Sequence, residues 1–289
     1  MTELKIKGHS GCKLAVYEAE DGQMTVKKSC HPDYLSRLRK QYVKQLYAFK
    51  HGYKNINVPC PQFVVDHMTM PYIHAQSYIE YLECASVHDI KKFADKMIGF
   101  INEELEASEV KEITSDVFAD KIKSVADKCK ENQIVTDTAL IEDISIDELR
   151  DNALCLIDAD VISLPIGACH GDLTLSNILF TESGVYLIDW LDSFVESPLI
   201  DIAKLRQDTC WKWSAQMITT CFNEPHINTA LDYLDRRITE ELSSQFSPLL
   251  MMLIEYLNMF RILPYCKNEP TTVSVLNNLK KMTKQISTL

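Results

Sequence analysis

The 289-residue sequence lacks the features that mark membrane, extracellular and repeat proteins. No apolar run approaches the roughly 18 residues of a membrane-spanning helix, and residues 1–5 lack the apolar core of a signal peptide. The ten cysteines are scattered without a C-x-x-C pair, which argues against a zinc site or a disulfide framework. There is no internal repeat and no low-complexity tract. These absences predict a cytoplasmic protein without a membrane partner, whose cysteines are thiols in a reducing compartment.

A positive net charge is also lacking, because 30 Lys and Arg residues face 41 Asp and Glu residues, giving a formal net charge of −11. This balance argues against general binding to nucleic acid. The first 85 residues carry 11 basic and 8 acidic side chains, and the remainder carries 19 and 33. A basic N-terminal part suits a polyphosphate, whereas an acidic C-terminal part would attract a cationic acceptor. A solvated acidic surface kept for solubility explains the asymmetry equally well.

The residues with the clearest chemical meaning lie between positions 170 and 189. Residues 170–177 read H-G-D-L-T-L-S-N, and a second Asp follows twelve residues after the Asn, in I-D-W. Phosphoryl transfer from a nucleotide needs one carboxylate that orients the attacking hydroxyl, and an amide oxygen and a second carboxylate that hold Mg²⁺. Asp172, Asn177 and Asp189 are these residue types in this order. The pattern predicts Asp172 as the catalytic residue and Asn177 and Asp189 as metal ligands.

A predicted β-hairpin separates Asn177 from Asp189. Residues 177–180 and 185–188 are apolar and strand-like, and the intervening T-E-S-G is typical of a turn. Folding the second strand back onto the first brings Asp189 beside Asn177, where one metal ion could contact both. An isolated H-G-D is a weak signal, but its combination with this hairpin is specific.

Residues 170–189 resemble the catalytic and metal-binding segments of the aminoglycoside phosphotransferase and choline kinase superfamily. The resemblance implies a bilobal, protein-kinase-like α+β fold, with an N-terminal antiparallel sheet with one helix and a larger, mainly helical C-terminal lobe. We predict a nucleotide-binding lobe at residues 1–70 and a catalytic, acceptor-binding lobe at 71–289. Residues 196–203, E-S-P-L-I-D-I-A, continue the resemblance and imply that Asp201 is a buried carboxylate holding the catalytic backbone.

The N-terminal residues predict how a nucleotide is held. Residues 4–7 and 13–18 alternate like strands around G-H-S-G-C, where backbone N–H groups of Ser10, Gly11 and Cys12 could reach phosphate oxygens. A plain hairpin turn explains these glycines equally well. In the resembled family, a lysine that ends the third strand pairs with the α- and β-phosphates. The strand at 23–28 offers Lys27 for this role, with Lys28 on the opposite side.

A helix predicted at about 32–50 and a linker at 70–73 complete this lobe. In most relatives the helix supplies a Glu that pairs with the strand lysine, but no Glu occurs between Cys30 and Lys50. The sequence M-P-Y-I resembles the family linker that holds an adenine, which implies nucleotide contacts from Met70, Tyr72 and Ile73. Proline has no N–H, so the backbone donor would come from Tyr72 or Ile73.

Beyond residue 87 the chain is predicted to be mainly helical. Apolar residues at helical spacing predict helices at 88–107, 116–130, 146–157, 211–220, 227–243, 248–262 and 277–287. Polar, acidic connections are expected between the first three of these helices. The segment 248–262 is apolar nearly throughout, so we expect it to lie at the centre.

Taken with the resemblance, these residues predict transfer of the γ-phosphoryl group of ATP, with Mg²⁺, to a hydroxyl of a small acceptor. Sugars, amino sugars such as aminoglycosides, choline-like amino alcohols and nucleosides all fit. A nucleotide-binding regulatory module without turnover is the alternative, because the helix Glu is missing. A protein kinase fits less well: such enzymes carry H-R-D and a Lys two residues later, where this chain has Gly171 and Thr174. The stretch from Asp189 to Asp201 also leaves little room for an activation segment.

Overall fold

The computed structural model describes residues 3–6, 12–18, 20, 22–217 and 222–286. The N-terminal part of the chain forms a five-stranded antiparallel sheet in the order β1-β2-β3-β5-β4. The strands are β1 (Glu3–Ile6), β2 (Lys13–Glu18), β3 (Met24–Ser29), β4 (Gln62–Val64) and β5 (His67–Pro71). Strands β1, β2 and β3 lie where the sequence predicts them. The predicted phosphate-binding tip falls largely outside the described residues, because Ser10 and Gly11 are not among them.

One helix, α1 (Leu35–His51), follows a 3-10 turn at Pro32–Tyr34 and packs against β4 and β5. It ends at Gly52, whose φ of 70° closes the helix in the left-handed conformation that favours glycine. Its buried side chains include two glutamines, Gln41 and Gln45. The Gln45 amide donates a hydrogen bond to the Pro59 carbonyl at 2.9 Å. A hydrogen bond as well as apolar packing therefore fixes the buried face of α1.

The rest of the chain is mainly helical, as predicted, with two short strand pairs. The helices are α2 (Tyr78–Cys84), α3 (Val87–Glu106), α4 (Asp116–Glu131), α5 (Gln133–Ile141), α6 (Ile146–Leu154), α7 (Pro198–Thr209), α8 (Glu224–Glu241), α9 (Pro248–Phe260) and α10 (Glu269–Ile286). The antiparallel pairs are β6 (Glu109–Thr114) with β7 (Val161–Ile166), and β8 (Ile178–Thr181) with β9 (Gly184–Leu187).

Helix α9 lies at the centre of the helical part. All of its residues from 253 to 260 are buried, and it packs against α7 and α10. The hydroxyl of Tyr256 donates to the Leu149 carbonyl at 3.1 Å, so this polar group keeps a partner inside the core. A helix that is apolar on all sides is stable only when surrounded by protein, and the central position predicted for 248–262 is confirmed.

Helix α5 lies where the sequence predicts only a polar connection, and the reason is a capping residue. The Asn132 side-chain oxygen accepts the Ile134 and Val135 N–H groups at 3.1 and 3.4 Å, which starts the helix. Its amide donates to the carbonyls of Pro264 and Cys266 at 3.1 and 3.0 Å. Contacts with residues more than 130 positions away thus stabilise a helix that local pattern alone does not indicate.

The helix predicted at 211–220 is wrong over its described part. The structure has only a 3-10 turn at Ser214–Met217, and residues 218–221 lie outside the described residues. Lys212 adopts a positive φ of 55°, which ends helical geometry there. The Trp213 N–H reaches back to the Gln207 carbonyl at 3.1 Å. Trp211 and Trp213 pack against the core without forming part of a helix.

Candidate active site

Residues 170–177, called the catalytic loop below, are fixed partly by the His170 ring. Its Nδ1 accepts the Asp172 backbone N–H at 3.3 Å, which assigns the ring proton to Nε2, and Nε2 lies 2.8 Å from the Ile188 carbonyl oxygen. Burial lowers the pKa of His170 to about 4, so the ring is neutral at physiological pH. His170 therefore holds the backbone beside Asp172.

Asp201, in the first turn of α7, holds the same loop from the other side. Its carboxylate accepts the His170 N–H and, at 2.8 Å, the Gly171 N–H. Gly171 has a φ of 84°, and a Cβ there would lie 2.0 Å from the Leu191 carbonyl oxygen. Only glycine satisfies both constraints. This contact is the structural role that the family resemblance implies for Asp201.

Asp172 has a hydrogen-bond partner on each carboxylate oxygen. The Asn177 amide lies 3.2 Å from Oδ2 and also donates to the Asp172 carbonyl at 2.8 Å. The Lys204 ammonium lies 3.1 Å from Oδ1. Burial by itself raises the pKa of Asp172, but the charge and hydrogen bond of Lys204, with smaller contributions that include the Asn177 hydrogen bond, hold the pKa below its ordinary value. Asp172 is therefore an oriented, ionised carboxylate that can accept a proton from a hydroxyl.

The hairpin brings Asn177 and Asp189 together, as the sequence predicts. Strands β8 and β9 pair in register, and the Ile188 N–H donates to the Asn177 carbonyl at 3.1 Å, so Asp189 follows directly. Among the described residues no group of three or more His, Cys, Asp or Glu side chains forms a metal site of its own. One carboxylate and one amide oxygen fit Mg²⁺ that keeps waters and binds substrate phosphates, which is how this ion usually binds. The roles of Asn177 and Asp189 as metal ligands stay a prediction.

The lysine of β3 that reaches the site is Lys28 and not Lys27, the residue predicted from the sequence. Lys28 is only 4% exposed, and its ammonium forms an ion pair with Oδ1 of Asp189. Lys27 alternates to the other face of the sheet and is partly exposed. Strand alternation correctly places Lys27 and Lys28 on opposite faces of the sheet, but it does not reveal which face meets the hairpin.

Helix α1 contributes a lysine that reaches the segment after Asp189. The Lys44 ammonium donates to the Leu191 carbonyl and to Glu196 Oε2, each at 2.6 Å. The other oxygen of Glu196 accepts the Ser193 N–H at 2.8 Å. Burial lowers the pKa of Lys44, but Cys169, Glu196 and Asp201 together raise it above its ordinary value. The helix is thus attached to the segment that follows Asp189, and Lys28 has its acidic partner in Asp189 instead.

The predicted nucleotide linker is only partly free to contact a base. The Tyr72 N–H already donates to the Met24 carbonyl at 2.9 Å, which leaves Ile73 as the remaining backbone donor of the two proposed. Met70 lies within β5, where it pairs with Val26. Cys12 is partly exposed just before β2. Nucleotide contacts of these residues stay predictions, as does a lobe boundary between residues 70 and 71.

A buried pair of carboxyl groups lies beneath the catalytic loop. Glu104, in α3, is 1% exposed and lies in hydrogen-bond contact with Asp201, while its Oε1 accepts the Tyr53 hydroxyl at 3.1 Å. Burial and the Asp201 charge raise the pKa of Glu104 well above its ordinary value. Glu104 Oε2 has no donor partner among the described residues. A protonated Glu104 resolves this, because its own O–H can donate to Asp201.

Glu104→Gln should therefore be tolerated, since the amide reproduces both hydrogen bonds of the protonated acid. A raised pKa in the folded state gives stability that is present at low pH and is lost as pH rises through the folded value. The parent should lose unfolding free energy relative to Glu104→Gln as pH increases above about 4.3, the unfolded pKa of Glu. Urea unfolding from pH 5 to 8 measures this difference. Glu106→Gln, exposed on the same helix, is the control; parallel pH curves for parent and Glu104→Gln would contradict the protonated state.

The fold and the site together define a phosphotransferase enzyme. Its H-G-D loop places an Asp beside an Asn, and a second Asp follows at the end of a hairpin. Residues 118–228 match the sequence profile of the phosphotransferase enzyme family APH. The match confirms the family resemblance that residues 170–201 indicate. No curated protein matches the chain in sequence. Within the part of the chain that the structure describes, no helix has both the length and the apolar character needed to cross a membrane.

Solved structures of kinases share the fold over nearly the whole chain. A glucosamine kinase in complex with glucosamine, ADP and inorganic phosphate has a TM-score of 0.63 at 11% identity, covering 98% of this chain and 94% of its own. A thermostable mutant of the aminoglycoside phosphotransferase APH(4)-Ia has a TM-score of 0.62 at 11% identity, with 99% and 94% coverage. An ethanolamine kinase from Plasmodium vivax has a TM-score of 0.54 at 12% identity, with 97% and 81% coverage. These similarities confirm the predicted bilobal, protein-kinase-like fold.

Proposed function

We propose that this protein is a small-molecule kinase that transfers the γ-phosphoryl group of ATP to a hydroxyl group. The observation that carries the proposal is the arrangement of Asp172, Asn177 and Asp189 on one loop and hairpin. An ionised carboxylate, an amide and a second carboxylate with its lysine partner are the groups that phosphoryl transfer requires. The structures of similar fold include one solved with ADP, which supports a nucleotide of the same type here.

In this mechanism each side chain has a separate task. Asp172 orients the acceptor hydroxyl and takes its proton as the oxygen attacks the γ-phosphorus. Lys28 leaves Asp189 and binds the non-transferred phosphates. Asn177 and Asp189 would hold Mg²⁺, which neutralises charge on the phosphate oxygens. Because the protein forms no covalent bond in this reaction, its contribution is positioning and electrostatic stabilisation.

The acceptor is proposed to be a small alcohol rather than a protein. Thr174 stands where a protein kinase carries its Lys, and its hydroxyl lies 2.9 Å from that of Ser176, so this side chain contacts the catalytic loop itself. The similar structures are kinases of glucosamine and ethanolamine and an aminoglycoside phosphotransferase. A sugar, an amino sugar or a choline-like amino alcohol is therefore the acceptor class to test, including cationic members.

A screen for ADP release tests this function directly. The purified chain is incubated with ATP and Mg²⁺ and with small alcohols, hexoses, amino sugars and amino alcohols, and ADP is measured with and without each compound. Acceptor-dependent ADP release supports the kinase. Nucleotide binding without turnover on any member of the panel favours the regulatory module instead, and phosphate incorporated into a generic protein substrate favours a protein kinase.

Asp189→Ala should abolish the Mg²⁺ dependence of nucleotide binding, because one of two protein oxygen ligands is removed from the predicted metal site. Calorimetric titration with ADP, with and without Mg²⁺, measures the effect, and Asn177→Ala should act in the same direction. Asp192→Ala is the matched control, since Asp192 is an exposed acid 3.4 Å from Lys40 on α1. An unchanged metal dependence in Asp189→Ala would remove this residue from the proposed site.

A cytoplasmic location is also part of the proposal, and it is supported by cysteine chemistry. All cysteines that the structure describes are free thiols, including the buried Cys129, Cys169 and Cys266. Free thiols persist in reducing compartments.

A further inference from the structure

The cation nearest the proposed base comes from a different element of the fold. The catalytic loop contains no Lys or Arg, yet Lys204 of α7 lies 3.1 Å from Asp172 Oδ1 with a side chain that is 12% exposed. We propose that Lys204 is a catalytic residue that binds the γ-phosphoryl group during transfer. This inference rests on the proposed kinase function and adds to it a residue that the sequence motifs do not indicate.

Other cations at the site have different partners in the described structure. Lys28 forms its ion pair with Asp189, and Lys44 bonds to Glu196. The Arg261 guanidinium lies 5.2 Å from the centre of the Phe194 ring and donates to Asn258 at 3.3 Å. Lys204 is therefore the cation in direct contact with the carboxylate that would orient the acceptor.

The position of Lys204 is fixed by the face of α7 that carries it. Asp201, Lys204 and Asp208 follow the spacing i, i+3, i+7, so they lie on one side of the helix. Asp201 accepts the backbone of His170 and Gly171, and Asp208 accepts the Leu175 N–H at 2.6 Å. The helix is thus attached to the catalytic loop both before and after Asp172, and Lys204 lies between these two attachments.

The ammonium can reach a phosphoryl group without leaving this place. A lysine has three N–H donors, and two have partners here, Asp172 Oδ1 at 3.1 Å and Gln207 Oε1 at 3.2 Å. The third N–H has no hydrogen-bond partner among the described residues. A proton acceptor lies about 2.6–3.2 Å from the attacking oxygen, and that oxygen lies about 3–3.5 Å from the phosphorus it attacks. A cation bonded to Asp172 is therefore adjacent to the oxygens of the transferred group.

The step itself balances without a further reactant. The acceptor oxygen forms a bond to the γ-phosphorus as the bond from that phosphorus to the β–γ bridging oxygen breaks. The hydroxyl proton passes to Asp172, and ADP leaves with the electron pair of the broken bond. Lys204 keeps its protons throughout and stabilises the charge on the γ-phosphoryl oxygens, which is where phosphoryl transfer concentrates negative charge.

The test is the difference in affinity between ADP and an ATP analogue whose β–γ link is an unreactive imide, both with Mg²⁺. Lys204→Met should weaken binding of the analogue by about tenfold, in line with loss of one charge-assisted hydrogen bond, and leave ADP affinity unchanged. Lys204→Arg keeps the charge and should restore part of the difference. Lys130→Met is the control, because it removes an exposed lysine that lies 2.7 Å from Asp147.

Each result has a defined meaning. Loss confined to the analogue supports the contact with the γ-phosphoryl group. Equal affinities in parent and Lys204→Met, or an equal loss for ADP and the analogue together with a lower Tm, overturn it and assign Lys204 a structural role. If the parent binds neither nucleotide, the proposed kinase function fails along with the inference. If the parent binds both and Lys204→Met behaves like it, only the inference fails.

Discussion

Asp172→Asn is expected to lower kcat by about two to four orders of magnitude while nucleotide affinity stays nearly unchanged, the range expected when a positioned acid–base group is lost. The amide keeps the shape of the carboxylate but cannot accept the hydroxyl proton. The amide oxygen can still accept from Lys204, and Asn177 keeps its hydrogen bond to the backbone carbonyl of residue 172, so the loop should keep its conformation. Steady-state kinetics with the acceptor found by the ADP screen, together with an ADP titration, measure both quantities.

The control for this substitution is Asp192→Asn, which makes the same acid-to-amide change at a residue 41% exposed. It should turn over at the parent rate. If Asp172→Asn does the same, the hydroxyl-orienting role belongs to another group and the assignment of Asp172 is wrong.

The two adjacent lysines of β3 should differ sharply. Lys28→Met is expected to lower nucleotide affinity by about 10- to 100-fold, because hydrogen bonds to charged groups contribute about 1.5–3 kcal/mol. Lys27→Met should have little effect, since Lys27 lies on the opposite face of the sheet. Titration of both variants with ADP and Mg²⁺ gives the comparison, and thermal unfolding shows whether each still folds. Equal losses would contradict the assignment of Lys28, and a larger loss in Lys27→Met would favour Lys27 as the nucleotide-binding lysine.

The parts of the site that the sequence predicts are those that local structure brings together. Asp172 and Asn177 share one loop, and a hairpin with a four-residue turn is enough to place Asp189 beside them. Strand alternation separates Lys27 from Lys28, but the choice between them depends on which sheet face meets this hairpin. That packing joins residues 161 positions apart and leaves no local signal.

The residues that the sequence interpretation missed act across longer distances. Lys44 is one of several lysines on α1, and only the folded chain shows that it reaches Leu191 and Glu196. Lys204 and Asp208 did leave a signal, because they follow Asp201 at i+3 and i+7. A helix face with three charged residues within a buried segment indicates polar partners, although it does not identify them. Strand β6 is mostly exposed, so apolar alternation gave little indication of its pairing with β7.

The ion pair between Lys28 and Asp189 has a consequence for the order of binding. In the described structure each of the two acidic side chains of the site has its own lysine, so the free enzyme presents no excess negative charge to a metal ion. A divalent cation arriving alone would have to displace an ammonium from Asp189 and leave that ammonium without a partner in a largely buried place. Phosphates that arrive with the metal supply the new partner. We therefore expect Mg²⁺ and nucleotide to enter as one complex, in a single exchange of partners.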